Sequence, residues 1–358
     1  MPDPTTRKDS SRAVTLDQVS NGAGISRVTT SRTTAGSRRV TVHSRQGVED
    51  AFQELDYEPA PVLREPMLAC HSVAVVITES TTKLFGDPFF SPLLKGIYTA
   101  LAERSLLLVM LAPQSPKDQE LTTGYLLAHH VDGVILASLH GDNPLPQTLR
   151  QNNIPVVVCG RPPRALKTSC VDSDNRQGGA LAVNHLLSLG RRRVAIISGN
   201  LDMPSAVDRL NGYRDALTAN GIELDPTLEE VADYLPHRAH MAMERLLLNH
   251  PDVDGVFCAS DLMGAAAVRV LHQARKRIPE DVAVIGFDDS PTASATRPQL
   301  SSIRQPIEEL GHEAVNVLIR EMQEPGEAPR QVIFATELVI RESTVGAEGL
   351  TALTASAG

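Results

Sequence analysis

The stretch V-T-L-D-Q-V-S-N-G-A-G-I-S-R-V-T-T-S-R, residues 14–32, contains two short helical patterns joined by a tight turn at Gly24-Ile25-Ser26. The second pattern places polar and basic residues on the face that its apolar residues do not use, namely Arg27, Thr29, Ser31 and Arg32. A helix-turn-helix of this kind can place its second helix in the major groove of DNA. The stretch therefore predicts a small all-α DNA-binding head.

The surrounding sequence sets the predicted domain boundaries. The first helix is expected over 16–23 with Thr15 as its N-cap, the second follows Ser26, and the third runs over 42–55 with Thr41 as its cap. The predicted divisions are a disordered tail over 1–13, the head over 14–58, a Pro-rich linker over 59–68, a large domain over 69–346 and a second disordered tail over 347–358.

Charge is distributed unevenly along the 358 residues. The chain has a net charge of −9, yet residues 1–45 contain eight Lys and Arg against three acidic residues. A basic head on an acidic body suits a protein that binds nucleic acid through one small domain.

The four cysteines, Cys70, Cys159, Cys170 and Cys258, show no C-x-x-C spacing and are interpreted as reduced thiols. No apolar run approaches the roughly 20 residues that a membrane span requires. The N-terminus lacks the apolar segment of a secretory signal. These features predict a cytoplasmic, nucleoid-associated protein.

From His71 onward, apolar strand patterns alternate with amphipathic helix patterns. Strands are predicted at 72–78, 106–111, 133–137, 155–159, 193–198, 255–258 and 282–287, with helices at about 89–104, 117–129, 175–189, 206–220, 237–249, 262–276 and 306–322. Continuous Val/Ile/Leu strands between helices predict parallel sheets covered on both faces. Seven such units exceed one ordinary sheet, so two lobes with a cleft between them are predicted.

Several strings along the chain resemble the lactose-repressor/galactose-repressor family of bacterial transcription factors. They include A-G-I-S-R-V-T-T-S-R at 23–32, L-D-Y-E-P at 55–59, V-D-G-V-I-L-A-S at 131–138, V-D-S-D-N-R-Q-G-G at 171–179, R-L-N-G-Y-R-D-A-L at 209–217, F-C-A-S-D-L-M-G-A-A at 257–266 and V-A-V-I-G-F-D-D-S at 282–290. The resemblance covers about 14–345. It implies a periplasmic-binding-protein-like domain of two doubly wound parallel sheets, preceded by the helix-turn-helix head.

The resemblance also implies partners and a regulatory function. A homodimer would bind pseudo-palindromic operator DNA, and a sugar-like effector in the cleft would change its operator affinity. The expected function is therefore a transcriptional regulator, a repressor in the first instance, of carbohydrate-metabolism genes. The family alignment implies that Arg27 and Val28 open the recognition helix, and the full set of candidate DNA contacts is Arg27, Val28, Thr29, Ser31, Arg32, Arg38, Arg39, Arg45 and Leu63.

The head departs from the family pattern in ways that bear on DNA affinity. Gly22 and Gly47 lie inside predicted helices, where glycine costs about 0.5–1 kcal/mol relative to alanine. Pro66 aligns with the Leu that the family uses as a minor-groove wedge, and Pro61 lies inside the would-be hinge helix. Leu63 or Leu68 could serve as the wedge instead. The departures predict weaker or unusual DNA binding.

Sugar hydroxyls are bound by convergent carboxylates, amides and arginines, beyond the carboxyl ends of parallel strands. The resemblance makes Arg209 and Asp288 the leading hydroxyl-binding pair, joined by Asp261. Other polar residues are candidates because they follow predicted strands, and two phenylalanines are candidates because they lie at the mouth of the cleft. The predicted effector site comprises Glu79, Phe89, Phe90, Ser138, Asp174, Arg209, Asp261 and Asp288.

Two of these assignments have alternatives. Asp174 could equally be an N-cap, and one of the two phenylalanines could pack against its helix. The absence of Trp favours a monosaccharide or short oligosaccharide. The D-P-F-F and D-L-M-G-A-A strings look most like regulators that respond to maltose or other α-glucosides.

Two other functions are compatible with a two-lobed α/β domain. The sequence gives no support for enzymatic activity, because it contains no P-loop, dinucleotide-binding, zinc-protease or nucleophile-elbow motif. No metal or cofactor is predicted. A sugar-binding sensor with a degenerate DNA head, acting through another partner, stays open because of Pro61 and Pro66.

Overall fold

The computed structural model describes residues 19–20, 22–26, 29–30, 42–54, 71–162 and 167–356. The chain divides into two units, Met1–Ala69 and Cys70–Gly358. The predictions for the tail 1–13, for the hinge 59–68 with Leu63, and for Arg27, Val28, Ser31, Arg32, Arg38 and Arg39 lie outside the described residues, as does the side chain of Arg45.

The first unit contains a small helical core. Residues 19–20 and 22 are helical, a turn follows at 23–24 with Gly24 at φ +62°, and helix α1 spans Val42–Glu54. Val19, Val48 and Ala51 are buried together, with Ile25 packed against them. A Cβ on Gly47 would lie 3.4 Å from Cδ1 of Ile25, which is ordinary van der Waals contact.

Ser26 marks the start of the second helical segment, as the sequence predicted. Its hydroxyl accepts a 3.3 Å hydrogen bond from the backbone N–H of Thr29, and its carbonyl accepts one from Thr30 at 2.9 Å. This is the N-cap arrangement that serine favours. The hydroxyls of Thr29 and Ser26 also lie 2.9 Å apart.

The second unit is built on two six-stranded sheets, and each sheet defines a lobe. The first sheet has the order β11-β5-β4-β3-β1-β2 and is parallel throughout, with strands β1 Ser72–Ile77, β2 Leu107–Leu111, β3 Gly133–Ala137, β4 Val156–Cys159, β5 Ser169–Ser173 and β11 Gln331–Phe334. Every residue of β1 and β3 is buried. Both faces of this sheet are therefore covered, as the continuous apolar runs predicted.

The second sheet has the order β12-β10-β9-β8-β6-β7. Its strands are β6 Val194–Ser198, β7 Glu229–Val231, β8 Gly255–Cys258, β9 Ala283–Asp288, β10 Ser301–Arg304 and β12 Glu337–Val339. All neighbours are parallel except β10 and β12, which are antiparallel.

The helices follow the strands along the chain and cover the sheets. They are α2 Thr81–Gly86, α3 Phe90–Ala102, α4 Pro116–Leu127, α5 Leu145–Gln151, α6 Asn175–Ser188, α7 Pro204–Ala219, α8 Pro236–Asn249, α9 Asp261–Gln273, α10 Pro291–Ala295, α11 Ile307–Gln323 and α12 Glu342–Ser356, with a 3-10 turn at Pro226–Leu228. None of the helices in the described part of the chain combines the length and apolar character needed to cross a bilayer.

Three connections carry the chain between the lobes. They lie between β5 and α6, between β10 and α11, and between β11 and β12, since α11 packs on the first lobe and α6 on the second. The connections after β5 and β10 place polar residues directly at the cleft.

Glycines set the spacing of α6 and α7 in the second lobe. A Cβ on Gly179 would lie 2.4 Å from the carbonyl oxygen of Arg209, and one on Gly212 would lie 2.0 Å from that of Arg176. These distances are too short for any side chain, so the two helices cross with their backbones in contact. That contact brings the start of α6 beside Arg209.

The structure corrects two sequence predictions in this unit. The segment 347–358 was predicted to be a disordered tail, but α12 continues to Ser356 through a kink at Gly346, which has φ +72°. Alanine and leucine recur in this segment, and both favour helix strongly. Strands β5, β7, β10, β11 and β12 were not predicted, because each is only three to five residues long and contains at least one polar residue.

Candidate functional site

A cavity of about 800 Å³, counted to its open mouth, lies between the two lobes. Its walls come from the carboxyl ends of β1, β3, β4, β5 and β9 and from the first turns of α3, α6 and α7, which is where ligands bind in open α/β sheets. The lining side chains include Glu79, Lys83, Asp87, Phe89, Phe90, Ser138, Cys159, Asp172, Asn175, Met203, Arg209, Tyr234, Asp288 and Gln305.

Arg209 of α7 forms the centre of the polar wall. Its side chain is 6% exposed, and its Nε donates a 2.9 Å hydrogen bond to Oδ1 of Asn175 while Nη1 donates to the carbonyl of Ala259 at 2.5 Å. The guanidinium carbon lies 3.7 Å from the centroid of the Phe287 ring. Fixed by these contacts on several sides, the guanidinium is held rigidly toward the cavity.

Asp288 ends β9 beside this guanidinium. Its Oδ1 lies 3.7 Å from Nη1 of Arg209 and accepts a 2.6 Å hydrogen bond from Nε2 of Gln305. The backbone of Asp288 has φ +101°, an uncommon conformation for a non-glycine residue that is found at ligand sites. Burial raises the pKa of this carboxyl well above its usual value, although Arg209 opposes the shift.

Asp172 and Asn175 line the cavity next to Arg209, at the first connection between the lobes. Asp172 accepts hydrogen bonds from the backbone N–H of Ser173 at 2.8 Å and from Nδ2 of Asn175 at 3.0 Å. Burial raises the pKa of Asp172 to about 6. Carboxylate, amide and guanidinium groups therefore converge on one side of the cavity.

Aromatic rings supply the apolar side. Phe89 and Phe90 meet edge to face, with centroids 5.4 Å apart and planes at 86°. Phe90 is buried in the core of the first lobe, whereas Phe89 is only half-buried and lines the cavity. Tyr234 of the second lobe faces the same space, and its ring centroid lies 5.9 Å from the Arg209 guanidinium.

Charged groups ring the mouth of the cavity. Nζ of Lys83 lies 3.3 Å from Oε2 of Glu79 and 2.8 Å from Oδ1 of Asp233. Burial lowers the pKa of Lys83, but the hydrogen bond to Asp233 and the charge of Glu79 outweigh it and raise the pKa above its usual value. Burial also raises the pKa of the nearby Asp87. Lys83 belongs to the first lobe and Asp233 to the second, so this pair joins the lobes.

The structure brings most of the predicted effector residues together. Glu79, Phe89, Phe90, Ser138, Arg209 and Asp288 all line the cavity. Asp174 does not line it: this residue is the N-cap of α6, and its side chain accepts a 2.9 Å hydrogen bond from the N–H of Gln177.

Asp261, like Asp174, is a predicted effector residue that does not line the cavity. It is 1% exposed and lies outside the cavity lining, because both carboxylate oxygens are used inside the second lobe. Oδ1 accepts from the hydroxyl of Ser302 at 2.6 Å, and Oδ2 accepts from the N–H of Ser290 at 2.6 Å. Burial raises the pKa of Asp261 to about 7. The residue orders the loop that follows Asp288 and does not face the cavity.

Sequence reasoning missed several lining residues, chiefly Asp172, Asn175, Tyr234 and Gln305. Asp172 belongs to β5, and Gln305 directly follows β10. Both strands are polar and were not recognised. The rule that ligands bind at the carboxyl ends of strands points to Asp172 and Gln305 only once S-C-V-D-S and S-S-I-R are known to be strands.

Cys159 also lines the cavity. Burial raises the pKa of the Cys159 thiol to about 12, so this cysteine is not a nucleophile at neutral pH. In the part of the chain that the structure describes, no group of three or more His, Cys, Asp or Glu side chains is arranged to hold a metal ion.

Comparisons with known proteins extend this description. Residues 183–344 match the family model described as a periplasmic binding protein-like domain. Over 336 residues the chain is 42% identical to the HTH-type transcriptional regulator CelR of Thermobifida fusca, and the alignment covers 93% of this chain and 98% of CelR.

Two solved structures share the fold over most of the chain. A transcriptional regulator CelR-cellobiose complex matches with a TM-score of 0.74 at 42% identity, covering 92% of this chain and 99% of that one. A lac repressor dimer bound to operator and the anti-inducer ONPF matches with a TM-score of 0.70 at 25% identity, covering 93% and 99%.

Proposed function

Because the chain belongs to the lactose-repressor/galactose-repressor family of transcriptional regulators, we propose that it represses carbohydrate-metabolism genes under the control of a neutral sugar bound between its lobes. The observation that carries the proposal is the buried Arg209–Asp288 pair, which faces a cavity lined by further carboxylates, an amide and aromatic rings. This is the set of groups that sugar hydroxyls and the C–H faces of a sugar ring require.

The charge of the lining favours a neutral ligand over an anionic one. Four carboxylates, Glu79, Asp87, Asp172 and Asp288, line the cavity together with Lys83 and Arg209. Lys83 is paired with Glu79 and Asp233, and Arg209 lies beside Asp288. A phosphate or uronate would meet more negative charge than positive, so the effector is an uncharged polyol.

The complex of a relative favours a disaccharide as the effector. The CelR relative was solved with cellobiose. The D-P-F-F and D-L-M-G-A-A strings pointed to an α-glucoside, whereas the complex favours a β-linked glucose disaccharide. Cellobiose is therefore the first effector to test.

The proposed DNA-bound form is a homodimer, as in the lac repressor dimer bound to its operator. Strand β2 is an edge of the first sheet, and Leu107 on it is 70% exposed. Tyr98 on α3 and Leu121 on α4, the helices before and after β2, are 61% and 63% exposed. Large apolar groups on an unpaired edge mark an interface, so we assign the subunit contact of the first lobe to this edge.

The domain assignment follows from the same proposal. The head is assigned to 14–58, the hinge to 59–68 and the effector domain to 69–346, in keeping with the division of the chain at Ala69 and Cys70. Operator contacts are assigned to Arg27, Val28, Thr29, Ser31, Arg32, Arg38, Arg39 and Arg45, with Leu63 as the minor-groove wedge. A DNA-binding regulator with these parts acts in the cytoplasm, on the nucleoid.

The alternative of a sugar sensor with a degenerate DNA head is not favoured. The match to CelR, a helix-turn-helix regulator, covers 98% of that protein. The relatives are likewise regulators and not enzymes, which supports a binding function for the cavity.

Thermal shift of the full chain against a panel of neutral and anionic sugars tests the proposal. At a hundredfold excess over the Kd, a ligand that binds only the folded state adds about 2.7 kcal/mol to the free energy of unfolding. We expect cellobiose or a related neutral disaccharide to give such a shift and to change promoter affinity, whereas glucose 6-phosphate and glucuronate do neither. A sugar that raises the Tm without changing promoter affinity would contradict the regulatory function.

A further inference from the structure

His140 lies on the loop after β3 and contacts an acidic residue on each side of its ring. Its Nε2 is 3.0 Å from Oε1 of Glu79, and its Nδ1 is 2.9 Å from Oδ1 of Asp202. The His140 side chain is 25% exposed, so these contacts are partly shielded from solvent.

The two partners of His140 belong to different lobes. Glu79 follows β1 in the first lobe, and Asp202 lies between β6 and α7 in the second. The backbone joins the lobes at the same point, because the N–H of Gly141 donates a 3.0 Å hydrogen bond to the carbonyl of Asp202. The imidazole therefore closes a bridge across the cleft.

Glu79 connects this bridge to the cavity. It is 7% exposed and lines the cavity, and its two oxygens contact different groups: Oε1 contacts His140 and Oε2 contacts Lys83. A carboxylate held from both sides presents its remaining lone pairs in a fixed direction. Loss of the His140 contact would free one of its oxygens to rotate away from a sugar hydroxyl.

Only the doubly protonated imidazole ring can donate a hydrogen bond to both Glu79 and Asp202 at once. A neutral imidazole has one N–H, so one of the two carboxylates would then face a ring lone pair. The hydrogen bond with Glu79 raises the pKa of His140 most, and the bond and charge of Asp202 add to this against the opposing effect of burial. Lys83 and Asp233 lie beyond Glu79, while Glu120 and Asp142 line a groove on the other side of the ring.

We propose that His140, in its imidazolium form, is a positioning residue that orients Glu79 toward the effector and fastens the second lobe through Asp202. The inference rests on the proposed sugar-binding function, which it deepens by adding a pH-dependent contact to the closed cleft. Closure favours the protonated ring, so the contribution is complete at low pH and is lost as the pH rises through the pKa of His140 in the closed arrangement. Effector affinity accordingly falls as the pH rises toward 8.

The first arm of the test needs no effector. Full-length protein with ¹³C-labelled histidine is titrated by NMR, and the His140 signal is assigned from the His140→Gln variant. We expect Asp202→Asn to lower the pKa of His140. The control Glu244→Gln removes the 3.4 Å contact of His240 on the exposed face of α8 and is expected to leave the His140 titration unchanged. An identical His140 titration in wild type and Asp202→Asn overturns the proposal.

The second arm uses cellobiose as the probe in calorimetric titrations at pH 6, 7 and 8. The wild type is expected to lose about three- to tenfold in affinity across this range, and His140→Gln is expected to lose most of that dependence. Asp172 has a pKa of about 6 and titrates in both proteins, so the comparison isolates His140.

Arg161→Gln is the matched control for the second arm. Arg161 also joins the lobes, through two 2.9 Å hydrogen bonds to Asp208, and neither bond involves His140. This variant is expected to bind more weakly at every pH while keeping the wild-type pH dependence. A wild-type pH dependence in His140→Gln overturns the inference. If cellobiose fails to bind the wild type at any pH, the proposed effector is wrong, and the NMR arm decides the role of His140.

Discussion

Nη1 of Arg209 lies 3.7 Å from Oδ1 of Asp288, with the two side chains 6% and 8% exposed, at the point where α7 and β9 meet the interlobe cavity. Two opposite charges so deeply buried are costly unless further hydrogen bonds stabilise them. Asn175, Ala259 and Gln305 supply such bonds. The pair is thereby ordered before any ligand arrives, which limits the entropy lost on binding.

Asp288→Asn is expected to abolish most effector binding while retaining the shape of the side chain. A hydrogen bond to a charged group contributes about 1.5–3 kcal/mol, which corresponds to a loss of about ten- to a hundredfold in affinity. Calorimetric titration with cellobiose measures this loss. Asp281→Asn is the control, because Asp281 pairs with Arg277 on the surface, away from the cavity. Equal affinity in wild type and Asp288→Asn would show that Asp288 does not contact the effector.

Asp172→Asn is expected to stabilise the effector-free protein at neutral pH. The pKa of Asp172 is about 6 in the folded chain and about 4 when unfolded, so the carboxyl loses folding free energy as the pH rises from 4 to 6. The asparagine does not titrate and avoids this loss, which amounts to about 3 kcal/mol above pH 6. Urea unfolding at pH 4.5 and 7.5 checks the prediction.

In the same experiment, Asp281→Asn is expected to change the free energy of unfolding at neutral pH in the opposite direction. The hydrogen bond from Arg277 lowers the pKa of Asp281 to about 2, so the carboxylate stabilises the fold at neutral pH and its removal should reduce stability there. Identical pH profiles for wild type and Asp172→Asn would contradict the assignment of a raised pKa to Asp172.

Arg161 and Asp208 are expected to act as one unit in lobe closure. Each single change, Arg161→Gln or Asp208→Asn, should weaken cellobiose binding, and the double variant should be no weaker than the worse single one, because the second change removes a contact already lost. Affinities of the four proteins give the coupling. Additive losses would mean that the two side chains act separately.

Leu107→Glu is expected to dissociate the dimer. A charge at this 70% exposed position on edge strand β2 would be buried unpaired in the assigned interface. Sedimentation velocity measures the change in mass. Ile333→Glu is the matched control, since Ile333 is 52% exposed on β11, the opposite edge of the same sheet. A dimeric Leu107→Glu protein would place the subunit contact elsewhere.

Operator binding by the basic head is expected to depend steeply on salt. A head that makes about five phosphate contacts gives a slope of about −4 to −5 when log affinity for the promoter is plotted against log salt. Arg27→Ala and Arg32→Ala should weaken binding, and Arg7→Ala in the N-terminal tail serves as control. A slope near zero in the wild type would count against DNA regulation through this head.

Residue pattern alone predicted the α/β class, the two lobes and the seven most apolar strands, with ends within one residue of those observed. In a strand such as V-A-V-V-I at 73–77, the side chains on both faces are apolar. Such a strand is stable in the middle of a sheet that is covered on both faces, because all of its side chains are buried there. Glu79, Ser138 and Asp288 were predicted for the same reason, since each follows such a strand.

The polar strands could not be predicted in this way. S-C-V-D-S and S-S-I-R have no periodicity that distinguishes a strand from a loop, yet they form β5 and β10 and lead directly into the connections between the lobes. Asp172 and Gln305 therefore reach the cavity without a local signal. Asp261 shows the converse, because its motif suggested a ligand contact while the packing of Ser290 and Ser302 turned its carboxylate inward.

The sequence by itself determined the class of protein, since hydrophobic burial along each strand and helix is a local property that the chain carries in order. Tertiary structure alone decided which polar groups meet. Lys83 of the first lobe contacts Asp233 of the second, and His140, which contacts Glu79 within the first lobe, also contacts Asp202 of the second. The two residues of each of these contacts are more than sixty positions apart in the chain. Such contacts depend on how the two sheets are placed relative to each other in space. The spacing of residues along the chain does not determine that placement.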